Sequence, residues 1–382
     1  MIFTEYERTD DGPKKMSESD FAFLDRSPRP EIAAVRSFVV QLLEAYPHDG
    51  VAEMVARVRS GDDVAFRSAG FELLIYDFLT RLGFKLQPHP VLKNGSERKP
   101  DFHVIAPDGS EFYLEASLAT EDKGENWSAN AMINTALDYL DSTHHPDFFV
   151  KIISEGEPTT QPSGKKLQRA VMNWLKSLDY DEVSKNGGEL AFINWHHENW
   201  HLLVQAMPVK NRNQKPTKRL IGVSSMHSGL VDSSTPIRDK LKEKGQRYGE
   251  LDLPLLVAVN FSAFNLNPID EMQALYGQEQ FVVNVNDRHA EPELRRAQNG
   301  LWFGTSGPRA VRVSGAWLFN DLTFYTAARR KQTVYFNPWA KDPLPDILKQ
   351  LPHATMTEDF KIQRNSGASL RDIFRLDERW PE

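Results

Sequence analysis

Three carboxylates, Glu72, Asp101 and Glu115, have the residue types and spacing of an oxygen-ligand metal site. Glu72 lies within an apolar helical run. Asp101 follows Pro100 at the start of a short strand-like run, and Glu115 falls near the end of the next. Pro107-Asp108-Gly109 between those runs reads as a tight turn. Antiparallel pairing about it sets Asp101 roughly opposite Glu115. Opposed carboxylates repel, and both have apolar neighbours (PDFHV, FYLEA) that make an unpaired charge costly. A hard divalent cation relieves both penalties. The sequence has no cysteine, so any metal must be held by oxygen or imidazole.

Cations form the complementary set. Lys210, Arg212, Lys215, Lys218 and Arg219 occupy a loop without an acid. Arg238, Lys240, Lys242, Lys244 and Arg247 follow on a helical segment. Together they read as a local contact for a nucleic-acid backbone. The net charge of −7 over 382 residues excludes a uniformly basic surface. His196, His197 and His201 flank a hairpin turn and lack a helix to align them, so they do not read as zinc ligands. Gly164-Lys165-Lys166 lacks the upstream glycine and following hydroxyl residue of a phosphate loop.

The elements that must position these groups are legible from periodicity. Residues 64–82 form the clearest helix, with a stripe of Phe71, Leu74, Ile75, Phe78, Leu79 and Leu82 ended by Gly83. Strand-like runs follow at 84–92, 101–106 and 111–117. Helices are predicted at 30–46, 49–60, 126–142, 163–178 and 235–248. The runs 148–153 and 254–260 are apolar but for Lys151 and Asn260, as in strands buried on both faces. Further strands are predicted at 189–195, 200–207, 281–285, 311–318 and 333–336. Residues 1–29, polar and broken by Gly12, Pro13 and Pro28, read as a poorly ordered arm. The N-terminus shows no signal-peptide pattern and no run reaches the roughly 18 apolar residues of a membrane span. The expectation is a cytoplasmic chain without membrane contact.

The order Glu72, Pro100-Asp101, Glu115-Ala116-Ser117 resembles the PD-(D/E)xK, or restriction-endonuclease-like, nuclease superfamily over about residues 64–120. The resemblance implies an α/β (α+β) fold whose core is a mixed central sheet flanked by helices. Residues 64–260 would hold that core, preceded by helices at 30–63, interrupted by an insertion at about 121–233 and followed by a C-terminal extension, 261–382, packed on it. An alternative makes 126–142 and 148–153 the helix–strand crossover and everything after 156 an added domain. The implied activity is metal-dependent hydrolysis of DNA phosphodiester bonds, with roles in bacterial or antiviral defence and restriction. Mg²⁺ or Mn²⁺ would be held by Asp101, Glu115 and the Ala116 carbonyl, with Glu72 direct or through water.

The chain departs from this pattern at Ser117, where the family has lysine. Serine can hydrogen-bond a metal water but supplies no positive charge. Lys244-Gly245-Gln246-Arg247-Tyr248 resembles the Gln-x-x-x-Tyr element of RecB-like members, with lysine for glutamine. Lys240 and Lys244 share one helix face and are the replacement candidates; Lys151 is another. The other readings are a catalytically inactive nucleic-acid-binding protein and a protein-interaction subunit that keeps the fold. Partner arrangements implied are DNA, a homodimer or a larger defence complex.

Overall fold

A computed structural model describes residues 2–120, 127–185, 191–210, 219–225, 234–262, 267–283, 289 and 291–382. The chain divides into two compact units. One comprises Met1–Glu7, Pro28–Glu121 and Asp232–Glu382, the other Arg8–Ser27 and Asp122–Val231.

The larger unit begins with helices α1 (Pro30–Ala45), α2 (His48–Arg59) and α3 (Asp63–Arg81). The Asp62 side chain caps α3 by accepting from the Val64 and Ala65 amides. Gly83, at φ 87°, ends it. Every residue of α3 from Ala69 to Leu79 is buried, Glu72 and Asp77 included, so the helix is enclosed rather than amphipathic.

Strands β1 (Lys85–Pro88), β2 (Phe102–Ile105) and β3 (Glu111–Thr120) form an antiparallel meander. Helix α4 (Ser234–Gln246) then leads to β4 (Leu255–Ser262), which runs parallel to β3 along most of its length. After α5 (Pro268–Tyr276) come β5 (Gly315–Asn320), β6 (Gln332–Phe336), β7 (His353–Met356) and β8 (Ile362–Asn365). The eight strands make one mixed sheet in the order β1-β2-β3-β4-β5-β6-β7-β8. Residues on β5 alternate between its faces. Trp317 and Phe319 meet Phe78 and Phe71 of α3. Ala316 and Leu318 join a core with Ile237 and Leu241 of α4 and Ala274 and Leu275 of α5. The fold is a mixed α/β architecture, a large mixed sheet flanked by helices.

Several expectations are corrected. Residues 261–382 do not pack on a finished core; they supply four of the eight sheet strands, with β5 beside β4. Residues 1–29 are not a bare arm. Asp20–Arg26 is helical, capped by Ser19, and Asp138 of the smaller unit accepts from the Met16 and Ser17 amides. The 84–92 run is strand only over Lys85–Pro88.

The smaller unit has its own four-stranded sheet, ordered Phe192–His197, Trp200–Pro208, Phe148–Glu155, Ile221–Ser225. Helices Trp127–Asp141 and Gly164–Lys176 bury Ile133, Leu137, Leu167 and Val171 in its core with Val150, Ile152 and Val204. The 148–153 run is covered on one face only. Phe148, Val150 and Ile152 are buried, whereas Phe149, Lys151 and Ile153 are partly exposed. Among the described residues no helix is long and apolar enough to cross a membrane.

Candidate functional site

β2 and β3 pair with Phe102 opposite Leu114, a register that extends to Asp101 opposite Glu115. Asp101 stands at the mouth of the hairpin, and its Oδ2 accepts the Ala116 amide at 2.6 Å. Glu115 is 2% exposed. Strand alternation places it on the face of Tyr113, which packs in the same core as α4.

Helix α4 brings the missing cation. Lys244 Nζ donates to Glu115 Oε1 at 2.7 Å across 129 residues of sequence. Tyr248, one turn on, donates its hydroxyl to Glu115 Oε2, and Arg247 Nη1 lies 3.6 Å from Oε1. Lys244 and Tyr248 share a stripe with the buried Ile237 and Leu241. Lys240 does not reach the acids; it pairs with Glu243 at 2.9 Å. Lys151 belongs to the other unit. Ser117 is buried, and its hydroxyl lies 3.5 Å from the Leu118 carbonyl.

Glu72 approaches from α3 and is gripped by Arg57 of α2, with Nη1–Oε2 at 2.8 Å and Nη2–Oε1 at 2.5 Å. Arg57 Nη2 also donates to the Ser68 hydroxyl. Sequence reasoning missed this arginine. The available signal was Glu72 itself: a carboxylate within an almost wholly apolar helical turn requires a cationic partner.

Electrostatics ties the three acids together. Burial pushes the Asp101 carboxyl well above the usual carboxylate range, and the charges of Glu115 and Glu72 push it further; the Ala116 amide and Lys244 oppose the shift. The Tyr248 hydroxyl is raised by burial and by Glu115. Tyr46 is raised by burial and then by Glu72 and Asp101. Arg57 is raised chiefly by its hydrogen bond to Glu72. Protein cations therefore serve Glu72 and Glu115, and Asp101 is the acid with the least compensation. Arg57 and Lys244 pair with Glu72 and Glu115, while the repulsion of those two acids on Asp101 remains. Among the described residues, no three His, Cys, Asp or Glu side chains converge closely enough to hold a metal ion.

The expected nucleic-acid patch does not form one surface on a single unit. Lys210 and Arg219 lie in the smaller unit, Arg238 and Arg247 in the larger. Arg212, Lys215 and Lys218 lie outside the described residues. Arg219 is engaged by Asp141 at 2.9 Å and by the Lys14 carbonyl at 2.6 Å. Arg238 donates to the Asn299 carbonyl and the Thr235 hydroxyl. Of the described residues in that set, Arg247 and Tyr248 join the acids.

The fold and cluster define an α/β protein with a buried acid–lysine–tyrosine site at the junction of the antiparallel meander and the parallel strands. No protein-family model, curated protein or solved structure matches the chain.

Proposed function

We propose that the chain is a metal-dependent phosphodiester hydrolase acting on DNA, with a restriction-endonuclease-like core and a lysine relocated to α4. One observation carries this reading: Lys244 supplies positive charge at Glu115, the position that Ser117 leaves without it. It arrives on a helix leading into a strand parallel to the Glu115 strand.

The donor chemistry fits a hard cation. Asp101 and Glu115 offer hard oxygens, and among the described residues Lys244 opposes the Asp101 shift only weakly, so bound positive charge would favour its ionised form. Asp101 and Glu115 would hold Mg²⁺ or Mn²⁺, which when bound would supply Lewis-acid polarisation of the phosphate. The chain's own groups do the rest. Lys244 stabilises negative charge developing on the phosphate. Tyr248 fixes the Glu115 carboxylate, and Arg57 holds Glu72 as an already paired acid.

The test is cleavage of plasmid and single-stranded DNA with Mg²⁺ or Mn²⁺ by wild-type protein and by Asp101→Ala and Lys244→Met. Cutting by wild type alone is the expected result. Equal cutting by all three, or none by wild type, overturns the proposal. A second reading, a binding protein that does not cut, is favoured by the engagement of Glu72 and Glu115 by Arg57 and Lys244. Salt-sensitive DNA binding without cleavage would select it.

A further inference from the structure

Helix α4 carries a second set of cations on a different stripe from Lys244 and Tyr248. Arg238 and Lys242, one turn apart, face a cavity of about 710 Å³ whose opposite wall includes Arg309 and Arg312. That volume lies within the roughly 300–1,000 Å³ typical of small-molecule sites. Four cations line it against one carboxylate, Asp239, although Arg312 also lies 3.9 Å from Glu250.

Two of the guanidiniums are held in place by the backbone. Arg238 Nη1 donates to the Asn299 carbonyl at 2.7 Å, and Arg309 Nη2 donates to the next carbonyl, Gly300, at 2.6 Å. Among the described residues neither has a carboxylate within 4.0 Å. Both therefore retain donors with no competing anion, and their anchoring lowers the entropy lost on binding a ligand.

Close packing builds the floor. A Cβ on Gly245 would lie 2.3 Å from Val313 Cγ2, so helix and facing loop meet where only glycine fits. A Cβ on Gly304 would lie 2.2 Å from Arg309 Nε, so that guanidinium rests against bare backbone. Ala310 and Val311, both partly exposed, add apolar surface, and the exposed Gln246 carboxamide adds a donor and an acceptor at the rim.

We propose that this pocket binds a nucleoside phosphate. The arginine forks and Lys242 match phosphate oxygens. The apolar wall suits the flat face of a base, and Gln246 suits its hydrogen-bonding edge. A floor closed by the Gly245–Val313 contact fits a small molecule better than a continuous nucleic-acid chain. The inference does not depend on the acid cluster's being catalytic.

Titration of the full-length protein with a fluorescent N-methylanthraniloyl ADP tests it. Saturable one-to-one binding is expected, displaced by ADP, less well by pyrophosphate and hardly by adenosine. Lys242→Glu, at an exposed side chain, should weaken binding at least about tenfold. Arg309→Ala should do the same. Asp101→Ala should leave binding unchanged, which separates this pocket from the acid cluster. Four results overturn the proposal: no saturable binding by wild type, unchanged affinity in Lys242→Glu, equal displacement by pyrophosphate and ADP, or displacement by an oligonucleotide but not by ADP.

Discussion

Replacing Lys244 with methionine isolates the role of the ammonium, because the stem keeps its packing volume. The Lys244 and Glu115 side chains are 11% and 3% exposed, so solvent screens their pairing little. Removing one partner of a buried pair costs about 3–5 kcal/mol, because the other charge stays behind unpaired. Here Tyr248 still donates to Glu115 and Arg247 stays 3.6 Å away. The loss is then closer to that of one hydrogen bond to a charged group, about 1.5–3 kcal/mol. A value near 3 kcal/mol lowers the melting temperature by about 6–12 °C for a unit of this size. Lys240→Met removes an exposed pair with Glu243 on the same helix and should change stability by less than about 1 kcal/mol. Calorimetry and urea unfolding of both variants at neutral pH measure the contrast. Cleavage assayed well below either melting temperature should fall about 100-fold or more in Lys244→Met and little in Lys240→Met. Equal stabilities for the two variants, or a larger loss in Lys240→Met, would refute the argument that the buried ammonium compensates Glu115.

Three further outcomes follow from the same geometry. Arg57→Met should destabilise by about 3–5 kcal/mol by stranding the buried Glu72, and adding Glu72→Gln should recover part of that loss; additive effects in the double-mutant cycle would show the pair to be uncoupled. Millimolar Mg²⁺ should raise the melting temperature of wild type but not of Asp101→Ala, and an identical shift in both would place the cation elsewhere. Glu271 on α5 is raised above the usual carboxylate range by burial, against the opposing pull of Tyr335 and Arg364 and with Asp270 adding to the shift. Its folded state holds the proton more tightly than the unfolded chain, so its stabilising contribution is full below the unfolded value and is lost as pH rises through the raised one. Glu271→Gln should therefore gain stability relative to wild type as pH climbs from the acid range toward neutrality, and parallel unfolding curves across that range would contradict it.

The parts legible in the sequence were those fixed by local rules. The α3 helix was marked by its apolar residues and terminal glycine. The Asp101–Glu115 alignment followed from the Pro107–Gly109 turn, because a hairpin's loop sets its register. The helix–strand pair ending at β4 was visible as a periodic run followed by an apolar one. What stayed hidden depends on pairing between distant segments. Nothing in 315–320 announces that it lies beside 255–262, so the later strands read as an appendage. The near-continuous apolarity of 148–153 suggested burial on both faces, but composition cannot tell a fully covered strand from one whose outer face carries part-exposed Phe149 and Ile153 beside Lys151. Arg57 escaped notice because its partner lies on the next helix, and spacing alone does not name a cation's mate.

The Glu115–Lys244 contact joins residues 129 positions apart, and most of the intervening chain belongs to the smaller unit. Closing so long a loop carries an entropic cost that grows with the logarithm of its length. Long-range parallel pairing such as β3 with β4 slows folding for the same reason. The smaller unit has its own sheet and core, so its collapse shortens the span that must be closed before β3 meets β4. The acid–lysine pair forms only once that long-range closure is made. Until it forms, the nascent chain holds Glu115 without its ammonium partner, and a site built on that pair stays silent throughout synthesis of the first half of the protein.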